Sequence, residues 1–271
     1  MQPDDAMGET TPVRDALELI DRRTSTRKFD EPAGVTDAQR AAVLHAASRA
    51  PSAGAMMMYS IIDIREQATL DRLAVLCDDQ PMIAHAPWAL VFVVDYCKWI
   101  DLFEHVGCFE DAFCERHGCT PKRHPGLGDL AIASQDAVIA AQNAVIAAEA
   151  VGLGSCYIGD VVEQAEEVRD LLGLPEHTFP LSMLILGVPA KARPQTPHPR
   201  ENLVMPERYR RADAATLDAQ VAEMDAMFRP HAREAGERVV DIYTRKHTSP
   251  FMAEMSRSME LWIKNWVGED W

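Results

Sequence analysis

None of the six cysteines pairs with another at the C-x-x-C spacing of a zinc site. Cys108, Cys114 and Cys119 fall near His105, His117 and His124, yet no pair among them has a recognised ligand spacing. Reduced thiols in a cytoplasmic protein, with no metal, are therefore expected. Basic residues are scarce: 27 Lys and Arg face 42 Asp and Glu, a formal net charge of −15. Such a balance argues against nucleic acid and against an anionic membrane surface as partners. The opening MQPDDAMGET lacks the charged-then-apolar pattern of a signal segment. No uninterrupted apolar run reaches ~18 residues, so no membrane span is expected. Internal repeats and low-complexity tracts are also missing.

What is present suits a large globular unit. A chain of 271 residues, 47% of them hydrophobic, can bury a sizeable core in one domain or in a domain with an appended tail. VRDALELIDRR places Val13, Ala16, Leu17 and Ile20 on one helical face. Thr36 is an N-cap for a helix to about Ala50, which Pro51 and Gly54 end. YSIIDI alternates toward a strand, ATLDRLAVLCDD is helical, and WALVFVVDY reads as a strand buried on both faces. Residues 99–128 have weak periodicity and read as a loop-and-helix insertion. The strongest helix is DLAIASQDAVIAAQNAVIAAEAVGLGS, whose polar Gln135, Gln142 and Glu149 recur every seven residues beside Asp136 and Asn143. Most of its circumference needs covering, which one globular subunit can do and a symmetric dimer does readily. SCYIG, AEEVRDLLGL and FPLSMLILGVP add strand, helix and strand, so an α+β or α/β sandwich follows. Beyond residue 212 two further helices are expected. In the last, Phe251, Met255, Met259, Trp262 and Trp266 repeat at helical spacing, with Trp271 after them. That stripe should dock on protein, in its own subunit or a partner.

Three short stretches carry chemistry. RRTSTRKF sets Arg22, Arg23 and Arg27 around Thr24, Ser25 and Thr26, a donor set suited to phosphate, or else a solvated basic helix end. In APSAGA, the small Ser52, Ala53 and Gly54 let backbone N–H groups approach a flat ligand, or simply turn the chain. GLGSCYIGD has two glycines but follows a helix rather than a strand, which argues against a Rossmann fingerprint.

In this order, and with QPMIAHAP before the buried strand and Arg200 in PHPREN, these stretches make residues ~13–210 resemble the nitroreductase family of FMN-dependent oxidoreductases. The resemblance implies a homodimeric α+β protein: a three-layer sandwich with a mixed central sheet flanked by helices and a helical C-terminal extension. Residues 1–211 would form the FMN-binding domain, with the insertion at about 99–128, and 212–271 the extension. One FMN would sit at each end of the subunit interface. Carried over residue by residue, Arg23, Thr24, Ser25 and Arg27 would meet the ribityl-phosphate, and Arg200 would reach it from the far end of the fold. Pro51, Ser52, Ala53 and Gly54 would face the ring from the other subunit. Tyr157, Ile158 and Gly159 would lie against the ring, with Gln80 and Asp136 at its polar edge. Hydride would pass from NADH or NADPH through FMN to a small-molecule electron acceptor, a nitroaromatic, quinone or similar conjugated compound, with no catalytic side chain required. A flavin binder without turnover, or dehalogenase or flavin-fragmenting chemistry on the same fold, are the alternatives. One stretch departs from the family. Where many members carry Asn-x-Gln-Pro-Trp, this chain has Ala55, Met56, Met57, Met58 and Tyr59. One or two of these methionines, Met57 among them, would pack against the flavin or the neighbouring subunit, or all three are core; strand alternation would send Met57 to the opposite face from Met56 and Met58.

Overall fold

The computed structural model describes residues 14–120, 124–191 and 203–268. Four strands form its sheet: β1 (Tyr59–Ile64), β2 (Trp88–Asp95), β3 (Gly154–Ile158) and β4 (Thr178–Gly187), in the order β1-β2-β4-β3. β2 is central and buried at every position, as its continuous apolar run requires. The strands are antiparallel throughout. The mixed sheet that the resemblance implied is thus corrected: among the described residues the four strands pair only antiparallel, and the parallel pairing seen is an isolated bridge, Ser25 to Ser155, at the β3 edge. Between Phe92 and Val93 the register with β4 slips by one residue: Leu181 is passed over, beside Pro180, which has no N–H to give to the ladder.

The helices are α1 (Arg14–Arg22), α2 (Asp37–Ser48), α3 (Gln67–Leu76), α4 (Pro81–Ala84), α5 (Cys97–His105), α6 (Asp111–His117), α7 (Leu127–Ala150), α8 (Ala165–Leu172), α9 (Ala214–Phe228), α10 (Glu237–Ile242) and α11 (Pro250–Val267). Thr36 caps α2 in a full capping box: its Oγ1 accepts from Gln39 N at 3.2 Å, and Gln39 Oε1 accepts from Thr36 N at 3.0 Å. α7 lies between the sheet and α2. Its buried face is alanine (Ala133, Ala137, Ala140, Ala141, Ala144, Ala148), small enough for close approach. By length and composition α7 is apolar enough to cross a membrane, but that face is spent on the protein's own core. Its opposite face leaves Ile132, Val138 and Ile139 in solvent, and Leu17 and Ile20 of α1 are exposed as well.

The segment Ser25–Ala33 is stitched along the ends of β3 and β4. Thr26 N donates to Ser155 O, Asp30 N to Val188 O, and Ala190 N to Lys28 O, at 2.8–3.1 Å. Gly154 and Gly187 face each other in the register, and a Cβ on the first would collide with Thr26, on the second with Phe29 and Pro87. Only glycine admits the segment this close.

The aromatic stripe of α11 docks on its own subunit. Trp262 and Trp266 are fully buried, and their indoles donate to Val162 O (2.8 Å) and Gly126 O (2.9 Å). Asn265 Nδ2 donates to Pro175 O and Thr178 O, and Arg257 pairs with Glu166 at 2.7 Å. Trp271 lies outside the described residues. α9 and α10 form a hairpin closed on buried Asp225, which accepts from Gly236 N and Arg238 N.

Candidate functional site

The arginine stretch begins where α1 ends. Arg22 Nη2 donates to Glu149 O near the C-terminus of α7, at 3.4 Å. Arg23, Thr24 and Ser25 are half-buried, Thr26 is buried and Arg27 is exposed. Among the described residues neither Arg23 nor Arg27 stands in an ion pair. Their field is nonetheless felt locally. Burial pushes the Glu149 carboxyl up, and Arg22 and Arg23 pull it back. Burial likewise pushes the Tyr157 phenol up to about 12, against the pull of Arg23. Tyr157, on β3, stands 39% exposed with its hydroxyl on Gln142 Oε1 at 3.3 Å; Ile158 is buried and Gly159 exposed. The structure thus brings Arg23, Thr24, Ser25, Arg27 and Tyr157 to one sheet edge. Two guanidinium groups in no ion pair among the described residues, with hydroxyls between them, are chemically suited to a phosphate such as that of FMN.

The second stretch is a loop of strained but fully tied backbone. Gly54, Ala55 and Met57 adopt left-handed φ of 57°, 56° and 47°. Asp136, buried on α7, accepts from Ala53 N at 2.9 Å and from Met58 N at 3.3 Å, bracketing the loop. Ser52 Oγ accepts from Met57 N at 3.0 Å, and the Trp99 indole donates to Met56 O at 2.9 Å. Met58 is buried, Met56 half-buried and Met57 47% exposed. This is the partition that strand alternation suggested, but the cause differs: the strand starts only at Tyr59, and the left-handed Met57 turns its own side chain out. Pro51, Ala53 and Gly54 are exposed and Ser52 half-buried.

Two expected ring contacts have other work in this structure. Both Asp136 oxygens hold loop backbone. The Gln80 amide donates to Cys77 O, closing the turn between α3 and α4. Arg200 lies outside the described residues. Trp99, Gln142 and Glu149 were missed as site residues. Gln142 and Glu149 were legible only as a polar stripe, and nothing in the weakly periodic insertion marked Trp99.

The two stretches do not meet within one chain. One is fastened to α7 at Asp136 and the other at Glu149, which at 1.5 Å per residue lie about 20 Å apart along the helix.

The model of the Nitroreductase family matches residues 20–188. An oxygen-insensitive NADPH nitroreductase of Salmonella typhimurium is 34% identical over 212 residues, covering 76% of this chain and 81% of its own length. An FMN reductase [NAD(P)H] of Bacillus subtilis is 30% identical, covering 74% and 77%. Among solved structures, NfrA1 of B. megaterium superposes with a TM-score of 0.77 at 27% identity, over 92% of this chain and 98% of its own.

Proposed function

This chain belongs to the nitroreductase family, and we infer from that membership, with the site above, an FMN-dependent NAD(P)H oxidoreductase acting on small-molecule electron acceptors. When bound, FMN supplies a two-electron carrier that takes hydride from NAD(P)H and returns it to a nitroaromatic, quinone or similar conjugated acceptor. The observation that carries the reading is the pair Arg23 and Arg27, in no ion pair among the described residues, around Thr24 and Ser25 and beside Tyr157. These side chains would hold the phosphate. Tyr157, Ile158 and Gly159 form the wall for the ring. Arg23 and the Ser52 and Gly54 backbone N–H groups would orient the cofactor, and Met57 would shield it from water.

The protein works as a homodimer. Loop and arginine stretch lie about 20 Å apart in one chain, so two copies packed through α1 and α7 bring the loop of each to the arginines of the other. The exposed Leu17, Ile20, Ile132, Val138 and Ile139 support this reading. Residues 1–211 are the FMN-binding domain and 212–271 an extension whose last helix rejoins the core. The protein acts in the cytoplasm.

The test is spectroscopic. The purified chain should be yellow, its flavin band should bleach on mixing with NADPH or NADH, and a nitroaromatic or quinone should restore it. A colourless protein that declines added FMN would sink the reading.

A further inference from the structure

α6 ends in a left-handed turn. Gly118 takes φ 64° and ψ 31°, its N–H reaches the Cys114 carbonyl, and Cys119 N reaches the same carbonyl at 3.2 Å. A closure of this kind brings together the side chains at its two ends, where an apolar contact is the usual filling. Here both ends of the closure are cysteines, Cys114 on the last turn of the helix and Cys119 just past Gly118. Cys114 is buried and Cys119 exposed. The Cys114 sulfur also faces the carbonyls of Cys108 (3.7 Å) and Thr120 (3.5 Å), which fix it in place. Phe113 stacks on His117 at 4.3 Å, and Phe109 packs edge-on against Phe103, so the helix and the turn before it are held. Neither thiol belongs to the flavin site described above.

We propose that Cys114 and Cys119 are a reversible oxidation site, closed into an intrachain disulfide by a low-molecular-weight disulfide. Exposed Cys119, as its thiolate, attacks one sulfur of the small disulfide and releases the other as a thiol. Cys114 then loses its proton and attacks the Cys119 sulfur. The Cys114–Cys119 bond forms, the mixed disulfide breaks, and the second small thiol leaves. Two protein thiols are oxidised, one small disulfide is reduced to two thiols, and both protons leave on them. Burial withholds Cys114 from the first step, and the closed turn presents it for the second. The bridge spans a turn already closed, so the backbone hydrogen bond between the two residues needs no rearrangement.

The experiment uses the full chain and glutathione disulfide. After equilibration, free thiols are alkylated and the protein is cut with trypsin. Arg116 lies between the two cysteines, so the bridge joins two peptides that cleavage would otherwise separate. The linked Cys114–Cys119 pair should accumulate, with one pair of thiols lost per chain, and disappear on reduction with dithiothreitol. Cys108→Ser should leave it intact. Cys119→Ser, at an exposed position the fold tolerates, should abolish it. A stable mixed disulfide at Cys119, a dominant bridge to Cys108, or an unchanged thiol count would each overturn the proposal.

Discussion

Ala55 and Met57 sit in left-handed backbone, which costs a non-glycine residue about 1 kcal/mol or more. They stay there because Asp136, Ser52 and Trp99 fix the loop from three sides. Asp136→Ala would leave the Ala53 and Met58 N–H groups without their acceptor. We expect a loss of about 2–4 kcal/mol in urea unfolding, together with at least tenfold weaker FMN binding in a fluorescence titration. Asp136→Asn keeps one acceptor and should lose about half as much. If FMN affinity is unchanged in both, the loop is not part of the site. Gly154→Ala tests the other stretch. Its new Cβ strikes Thr26 and displaces the arginine segment, so overpacking of about 1–3 kcal/mol and weakened FMN binding are expected together. Residue by residue, legibility was uneven. The arginine stretch was readable because guanidinium groups and hydroxyls so close in sequence are also close in space. Asp136 was readable only as a polar residue on α7. Helix periodicity gives a side chain its face, not its hydrogen-bond partner, and the partner turned out to be backbone.

At the scale of elements, strong periodicity was sufficient. β1, β2 and β4, the Thr36 cap and α7 fall where the pattern put them, because each has one answer to the question of what must be buried. α4 is too short to show a period and α10 too weakly patterned, so neither was legible. The α11 stripe was legible as a face that needs covering, but a pattern does not say what covers it. The contact that α11 makes has an electrostatic weak point. Glu163, beside α8, is buried, and among the described residues its Oε1 has no partner. Burial first, then Asp160, Asp78 and Glu254, opposed by Lys246, push its carboxyl up from 4.5 to about 7. A carboxyl raised on folding binds its proton more tightly in the folded state. Its ionisation therefore costs nothing below about 4.5, costs progressively more between 4.5 and 7, and has its full cost above. Glu163→Gln should raise the melting temperature at pH 8, by an amount corresponding to about 1–2 kcal/mol, and the gain should vanish near pH 4. An equal gain at both pH values would show that the effect is packing rather than charge.

For the whole molecule, the apolar face of α7 is the decisive surface. A stripe of Ile132, Val138 and Ile139 was foreseeable from composition, whereas its exposure in a single chain could be seen only once α2 and the sheet had claimed the alanine side. Val138→Glu with Ile139→Glu places charge on that stripe and leaves the buried alanines untouched. Sedimentation should then report a monomer, and FMN should be lost with the partner. A monomer that keeps FMN at full affinity would show that one chain suffices. Net charge was of no help at this scale, since it constrained partners without pointing to one.

Because Asp136 and Glu149 each fasten one half of the site to the same helix, α7 acts as a ruler. One residue inserted between them would turn one anchor by about 100° and advance it by about 1.5 Å, putting the halves out of phase. Seven inserted residues would restore the phase to within about 20° and lengthen the gauge by about 10 Å. In the proposed dimer the span open to a cofactor is thus written as a count of helical turns, and evolution or design could reset it only in whole steps.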